Sequence, residues 1–198
     1  MDRRSFLLSS LALAGMTSGA LASGDRDFNF GSTFSPKKTA RRNAYRGKEI
    51  IPYKTGEKPG TVIVNTAERR LYFVLPDGKA VRYGVGVGRQ GFEWSGVARI
   101  GAKQTWPEWR PPPEMIEREL AQYGRRLPDV MPGGPNNPLG ARALYLFQGQ
   151  KDTLYRIHGT NAPQTIGQAM SSGCIRMLNE EVIDLHDRVK IGAKVIVL

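Results

Sequence analysis

A mainly β domain over residues 60–198 is predicted by three observations. Short runs rich in β-branched and aromatic residues recur between turn signals. Glycine and proline are abundant, 23 and 13 of 198 residues, which favours frequent turns over long helices. The clearest helix, near the C-terminus, is the one stretch that combines start, stripe and stop signals.

The elements follow in order. Thr61-Val62-Ile63-Val64-Asn65 is β-branched and opens the domain as a strand. Arg70-Leu71-Tyr72-Phe73-Val74-Leu75 is the next, across a short connection at 66–68, and Pro76-Asp77-Gly78-Lys79 is a turn. Residues 80–88 alternate, and Gly84, Gly86 and Gly88 leave one face bare, so another backbone fits there. This opening reads as a β-meander. Residues 96–106 supply one more strand. Residues 106–113 hold Trp106, Trp109 and four prolines, too many for regular structure. Residues 114–123 read as a short helix starting on Pro113, with Met115, Leu120 and Tyr123 inward. Residues 127–140 are a Pro/Gly/Asn loop. A Trp- and Pro-rich excursion of this size inside a β domain is expected to cover something. Strands return at 142–147 and 154–160. In the helix at 179–189, Asn179 is the expected N-cap, with Leu178 and Ile183 as its staple. Glu180 and Glu181 suit its positive end, and Arg188 and Lys190 its negative end. Val182, Leu185 and Val189 form the buried stripe, and Gly192 the stop. Residues 193–198 close the chain as a strand inside the sheet.

Residues 1–22 read as a cleaved export signal. Arg3-Arg4-Ser5-Phe6-Leu7-Leu8 resembles a twin-arginine head, the apolar stretch is diluted by Gly15, Ser18 and Gly19, and Ala20-Leu21-Ala22 is a small-x-small cleavage pattern. The expected product begins at Ser23 in the periplasm with no transmembrane anchor. The general secretory route is the alternative. Residues 23–59 read as a basic, flexible lead-in. A formal charge of +11 suits anionic surfaces such as wall polymers and phospholipid heads. Export, with no recognisable helix-turn-helix or aromatic platform, argues against nucleic acid as partner. One cysteine excludes an intramolecular disulfide, and with only two histidines no metal or other cofactor is expected.

The single thiol, Cys174, sits in Ser171-Ser172-Gly173-Cys174-Ile175-Arg176-Met177. A lone cysteine is often a small buried hydrophobe. Here export to an oxidising space makes an idle thiol a liability. Gly173 leaves room for a substrate and an amide for an oxyanion, and Arg176 adds a positive charge that favours thiolate and can hold a carboxylate. A nucleophilic cysteine needs a base. His158 ends an apolar strand in Tyr155-Arg156-Ile157-His158-Gly159-Thr160, whereas His186 lies on a helix flank, so His158 is the candidate. The connection 161–172 must fold back, and Ile166 and Met170 suggest one helical turn within it. No acid lies beside His158 on its strand, so a backbone carbonyl is the natural orienter.

His158-Gly159-Thr160-Asn161 followed by Ser171-Ser172-Gly173-Cys174-Ile175-Arg176-Met177 resembles the signature of the L,D-transpeptidases, the YkuD catalytic domain. The likeness extends to residues 83–88, 106–115 and 138–142. Ser172 stands where many members carry a second histidine, which removes one candidate donor to the oxyanion. The resemblance implies a β-sandwich-like fold with short helices, and a cysteine in a cleft under a lid segment. It implies acyl transfer on peptidoglycan stem peptides through a thioester. It gives His158 as base then acid, the Gly159 carbonyl as its orienter, and the Gly173 and Cys174 amides as oxyanion donors with Ser172 near. Arg176 would hold an anionic group of the substrate, and Trp109 and Met115 would belong to the lid. The acceptor would be a diaminopimelate amine, giving a 3→3 crosslink, or an amine of an outer-membrane protein or lipoprotein. An L,D-carboxypeptidase, with water as acceptor, is the first alternative. A non-catalytic wall-binding protein on the same scaffold is the second.

Overall fold

The structure is a computed structural model that describes residues 47–89 and 94–198. The expected export signal and most of the lead-in lie outside those residues. In chain order the described elements are β1 (Glu49–Pro52), β2 (Val62–Asn65), β3 (Arg70–Leu75), β4 (Lys79–Gly84), β5 (Val87–Gly88), β6 (Gly96–Thr105), α1 (Pro113–Tyr123), β7 (Arg142–Gln148), β8 (Lys151–His158), a 3-10 turn (Pro163–Thr165), β9 (Ala169–Ser171), β10 (Ile175–Arg176), α2 (Asn179–Arg188) and β11 (Lys194–Val197).

Nine of these strands form one sheet in the order β1-β4-β3-β2-β11-β6-β7-β8-β10, and β5 pairs with β9 apart from it. The expected meander β2–β3–β4 is antiparallel, turning at Asp77 and Gly78, which both adopt left-handed φ of 58° and 64°. The terminal strand β11 is inserted between β2 and β6, parallel to the first and antiparallel to the second. One strand was not expected. The end of the segment read as a flexible lead-in is β1, antiparallel to β4. Its Ile51, with Tyr53 just beyond it, packs on a small cluster of Ile63, Tyr72, Val74 and Ala80 on the outer face.

The main core joins both halves of this ladder. Val62, Leu71 and Tyr83 from one half meet Ile100, Leu146, Ile157 and Ile175 from the other in a single buried cluster. A ladder whose inner faces meet in this way is folded over on itself, which gives the sandwich-like character. The chain leaving β4 reaches across to the far edge strand, β10. Gly86, just after β4, exchanges main-chain hydrogen bonds of 2.8 and 2.9 Å with Arg176 on β10. The bare glycine face serves this approach, because a Cβ on Gly86 would lie 2.8 Å from the Thr165 carbonyl oxygen.

α2 covers the core with Val182 and Leu185, both fully buried. Burial of one such side chain contributes about 1.5–3 kcal/mol. The start of the helix departs from expectation. The cap position is Leu178, not Asn179, and no side chain caps it. The apolar pair flanking the start is therefore Met177 and Val182, one residue earlier than expected, and both are buried. At the other end Lys103 of β6 donates to the carbonyls of His186 and Val189, while Arg188 turns back to Asp184.

The excursion between β6 and β7 contains α1 as expected, but no residue of α1 is buried. Leu120 and Tyr123 are exposed rather than inward. What organises the excursion is Asn137, 1% exposed. Its Nδ2 donates to the carbonyls of Pro107, Met131 and Pro132, and its Oδ1 accepts from Leu139 N.

Candidate active site

The geometry starts from a two-residue parallel pairing. β10 runs beside β8 with Ile175 opposite Ile157 and Arg176 opposite His158. Both isoleucines point into the core. By the period of two, His158 and Arg176 share the other face, and Cys174, one step before Ile175, joins them there opposite Arg156. The pairing thus brings the thiol and the imidazole onto one face of adjacent strands.

His158 is buried, and its Nδ1 lies 2.6 Å from the Gly159 carbonyl oxygen. A carbonyl only accepts, so Nδ1 carries the proton and donates, and Nε2 holds the lone pair. This is the backbone orienter expected in place of a carboxylate. Burial holds the imidazole pKa down at about 4, and the charges of Arg176 and Arg156 push the same way against the Gly159 hydrogen bond. Cys174 is half-buried. Burial pushes its thiol pKa up, and the main-chain hydrogen bond from Arg156 and the charges of Arg156 and Arg176 only oppose that rise. Arg176 favours thiolate as expected, but burial outweighs it. The resting pair is a neutral thiol beside a neutral imidazole.

The turn carrying the thiol is held by Ser171, which is buried. Its Oγ donates to the Cys174 carbonyl at 2.5 Å and accepts from Gly173 N at 3.2 Å. Gly173 has φ 109°, a value that favours glycine. The Gly173 amide is thus turned to Ser171 rather than left open, and no described residue accepts from the Cys174 amide. Ser172 is exposed. The half-buried Arg176 has no carboxylate partner among the described residues. Trp109 pairs its main chain with Met131, and Met115 lies half-buried on α1. No hydrogen bond joins either to His158, Cys174 or Arg176 among the described residues.

In the connection from His158 to Cys174 the helical turn is the 3-10 turn Pro163–Thr165, not one spanning Ile166 and Met170. Met170 is 55% exposed on β9. His186 is deeper than a surface flank, its side chain 15% exposed. The groups acting on it are Lys103, Asp187 and Arg142 rather than the thiol.

One charged neighbour was missed in the sequence. Arg156 makes a two-point ion pair with Asp152 at 2.7 and 2.8 Å and lies 4.3 Å over the Tyr145 ring. An Asp four residues before an Arg is a helix signal, not a strand signal. The pairing arises because the β7–β8 ladder shifts register between Tyr145 and Phe147, with Leu154 at φ 64°. An open cleft of about 850 Å³ lies elsewhere, lined among others by Lys58, Phe73, Leu75, Arg188, Lys190 and Lys194, and includes none of these site residues.

A mostly β domain thus sets its single cysteine and a carbonyl-oriented histidine on one face of adjacent strands. The profile of the L,D-transpeptidase catalytic domain, YkuD, matches residues 59–197, and the chain belongs to this family. The Escherichia coli K12 protein named "Probable L,D-transpeptidase ErfK/SrfK" is 41% identical over 139 residues, covering 68% of this chain and 42% of that protein. "Probable L,D-transpeptidase YbiS" of the same strain is 36% identical over 140 residues, covering 68% and 43%. The chain thus matches about two fifths of the length of these curated relatives. An L,D-transpeptidase structure from Mycobacterium smegmatis shares the fold, with a TM-score of 0.52 at 15% identity, covering 70% of this chain and 58% of that one. A crystal structure from Brucella melitensis, described as a probable carnitine operon oxidoreductase, is 54% identical with a TM-score of 0.51, covering 76% and 92%. That description concerns the Brucella protein. Among the described residues no helix is long and apolar enough to cross a membrane.

Proposed function

We propose that this L,D-transpeptidase-family chain transfers peptidoglycan stem peptides through a thioester on Cys174. The observation that supports this most directly is the placement of His158 and Cys174 on one face of paired strands, with Nδ1 committed to the Gly159 carbonyl. His158 Nε2 takes the thiol proton as Sγ attacks the carbonyl that links the third stem residue to the terminal D-alanine. Burial disfavours both thiolate and imidazolium, so proton transfer accompanies attack. The imidazolium then protonates the departing D-alanine amine, and the thioester remains.

The Cys174 amide is the first oxyanion donor. The Gly173 amide joins it by leaving the long 3.2 Å bond to Ser171, and Ser172 flanks the turn. The Arg176 guanidinium, without a carboxylate partner among the described residues, holds an anionic group of the stem. Trp109 and Met115 belong to a lid over the bound peptide. An amine then takes the acyl group. It comes from diaminopimelate in a neighbouring stem, giving a 3→3 crosslink, or from an outer-membrane protein. The work is done in the periplasm after export on residues 1–22.

The test incubates the protein with tetrapeptide stems. The expected result is D-alanine release with an acyl mass on Cys174, followed by crosslinked dimers. Tripeptides without dimers would mean that water is the acceptor. Absence of D-alanine release, with the thiol unmodified by a carbapenem, would overturn the reading.

A further inference from the structure

We infer that Asn179 is a positioning residue that braces the Gly159–Thr160 turn and thereby aims the His158 imidazole at Cys174. The inference rests on the reading of His158 as the base.

Main-chain accounting around His158 isolates the part Asn179 plays. The His158 carbonyl accepts from Met177 N at 2.8 Å, and Gly159 N donates to the Arg142 carbonyl at 3.0 Å. The Gly159 carbonyl is left for the imidazole. Both main-chain polar groups of Thr160 belong to Asn179: Oδ1 accepts from Thr160 N at 3.2 Å, and Nδ2 donates to the Thr160 carbonyl at 3.0 Å. The same Oδ1 accepts from Ala141 N at 3.0 Å, at the start of β7. One side-chain amide therefore ties the chain leaving β8 to the chain entering β7.

The slot is shaped for it. A Cβ on Gly159 or on Gly140 would each lie 2.2 Å from Asn179 Oδ1, and Gly140 also has φ 62°. Two glycines thus make room for the same oxygen. Because Asn179 is the first residue of α2 and not its cap, its side chain is free to reach back. Without it, the peptide plane containing the Gly159 carbonyl loses its restraint at Thr160. The ring then follows the plane. The groups acting on that ring are Arg156 from β8 and Arg176 from β10, and both leave its orientation to the Gly159 bond.

The experiment uses the mature chain as wild type, Asn179→Ala, Gly159→Ala, the double variant, and His158→Ala. It reads the rate of carbapenem acylation of Cys174, the imidazole titration of His158 by NMR, and the melting curve. A 1 Å displacement at a reacting group costs about a hundredfold, so Asn179→Ala is expected to acylate about 10- to 100-fold more slowly. Its His158 titration is expected to move up from about 4 toward the ordinary histidine value as the ring gains water. Gly159→Ala is expected to show a similar loss. In the double variant the methyl occupies the space the amide leaves, so the two effects do not add.

A folded Asn179→Ala with wild-type rate and wild-type titration overturns the inference, as does strict additivity. If Asn179→Ala does not fold, Asn179→Asp carries the test. It keeps the acceptor for the two amides but sets an oxygen against the Thr160 carbonyl, and slowed acylation is again expected. Wild-type rate and titration in that variant overturn the inference. An unaffected His158→Ala would sink the reading of the base, while a shifted titration in Asn179→Ala would still establish the brace.

Discussion

Lowering the pH is expected to destabilise the fold through His158 before any carboxylate contributes. Burial, helped by the charges of Arg176 and Arg156, holds the folded imidazole down at about 4, against about 6.5 when unfolded. At pH 7 it is neutral in both states and contributes no difference. As pH falls through the window from 6.5 to 4, the unfolded chain binds a proton that the folded chain refuses, so stability is lost. At 1.36 kcal/mol per unit, the loss reaches about 3 kcal/mol at pH 4. Against a typical total of about 5–15 kcal/mol this is a large share. The assay is urea unfolding of the wild type and of His158→Gln at pH 7, 5.5 and 4. His186 and the carboxylates remain in both proteins and cancel in the difference. Asp184, held well below the usual carboxylate range by Arg188, Lys48 and Tyr83 against its own burial, loses its contribution only below about pH 4. The wild type is expected to lose about 3 kcal/mol more than the variant between pH 7 and pH 4. Equal losses in the two proteins would refute the argument that His158 is folded into a site that keeps it neutral.

Three further outcomes are expected. Cys174→Ala abolishes D-alanine release and carbapenem labelling, since the chain has no other thiol, and His158→Ala slows acylation by about 10²–10⁴; intact-mass kinetics check both. Arg176→Ala is expected to raise KM for the tetrapeptide while leaving alkylation by a small thiol reagent within about threefold, because its proposed role is to hold substrate charge. Asp184→Ala strands the buried Tyr83 hydroxyl, which donates to Asp184 at 2.6 Å, and lowers stability by about 1–3 kcal/mol without changing the acylation rate; a melting curve and a carbapenem assay separate the two.

The parts of the fold legible in the sequence were those whose signals are local. Period-two runs, the Asp77-Gly78 turn and the apolar stripe of α2 each depend on residues within a few positions of one another, and each forms where expected. β1 was not legible because its reason is distant. A four-residue strand is ordered by pairing with β4, and by Ile51 and neighbouring Tyr53 meeting residues from β2, β3 and β4. The inward face of α1 was misread for the complementary reason. Met115, Leu120 and Tyr123 imply a buried stripe only if something covers them, and nothing in a helical pattern says whether it does.

The site divides along the same line. Cys174 and His158 were readable as candidates from their immediate neighbours, Gly159 as the orienting carbonyl came with the family resemblance, and one short parallel pairing brings the two strands together. Asn179 and Arg156 were not, because each takes its meaning from a strand elsewhere in the chain. Asn before Glu-Glu-Val is a helix-start signal, and only the return of β7 and β8 to that spot converts its side chain from a cap into a brace. The glycines gave the readable hint. Gly140 and Gly159 are far apart in sequence, yet both lack a Cβ against the same oxygen. A glycine beside a candidate catalytic residue marks a close approach. The contacts run from His158 through Gly159 and Thr160 to Asn179 without passing through the thiol. The imidazole is therefore held by contacts independent of the thiol, and on the proposed thioester route it would keep its aim once Sγ is acylated. The proposed deacylation would use the same aim, with Nε2 taking a proton from the incoming amine.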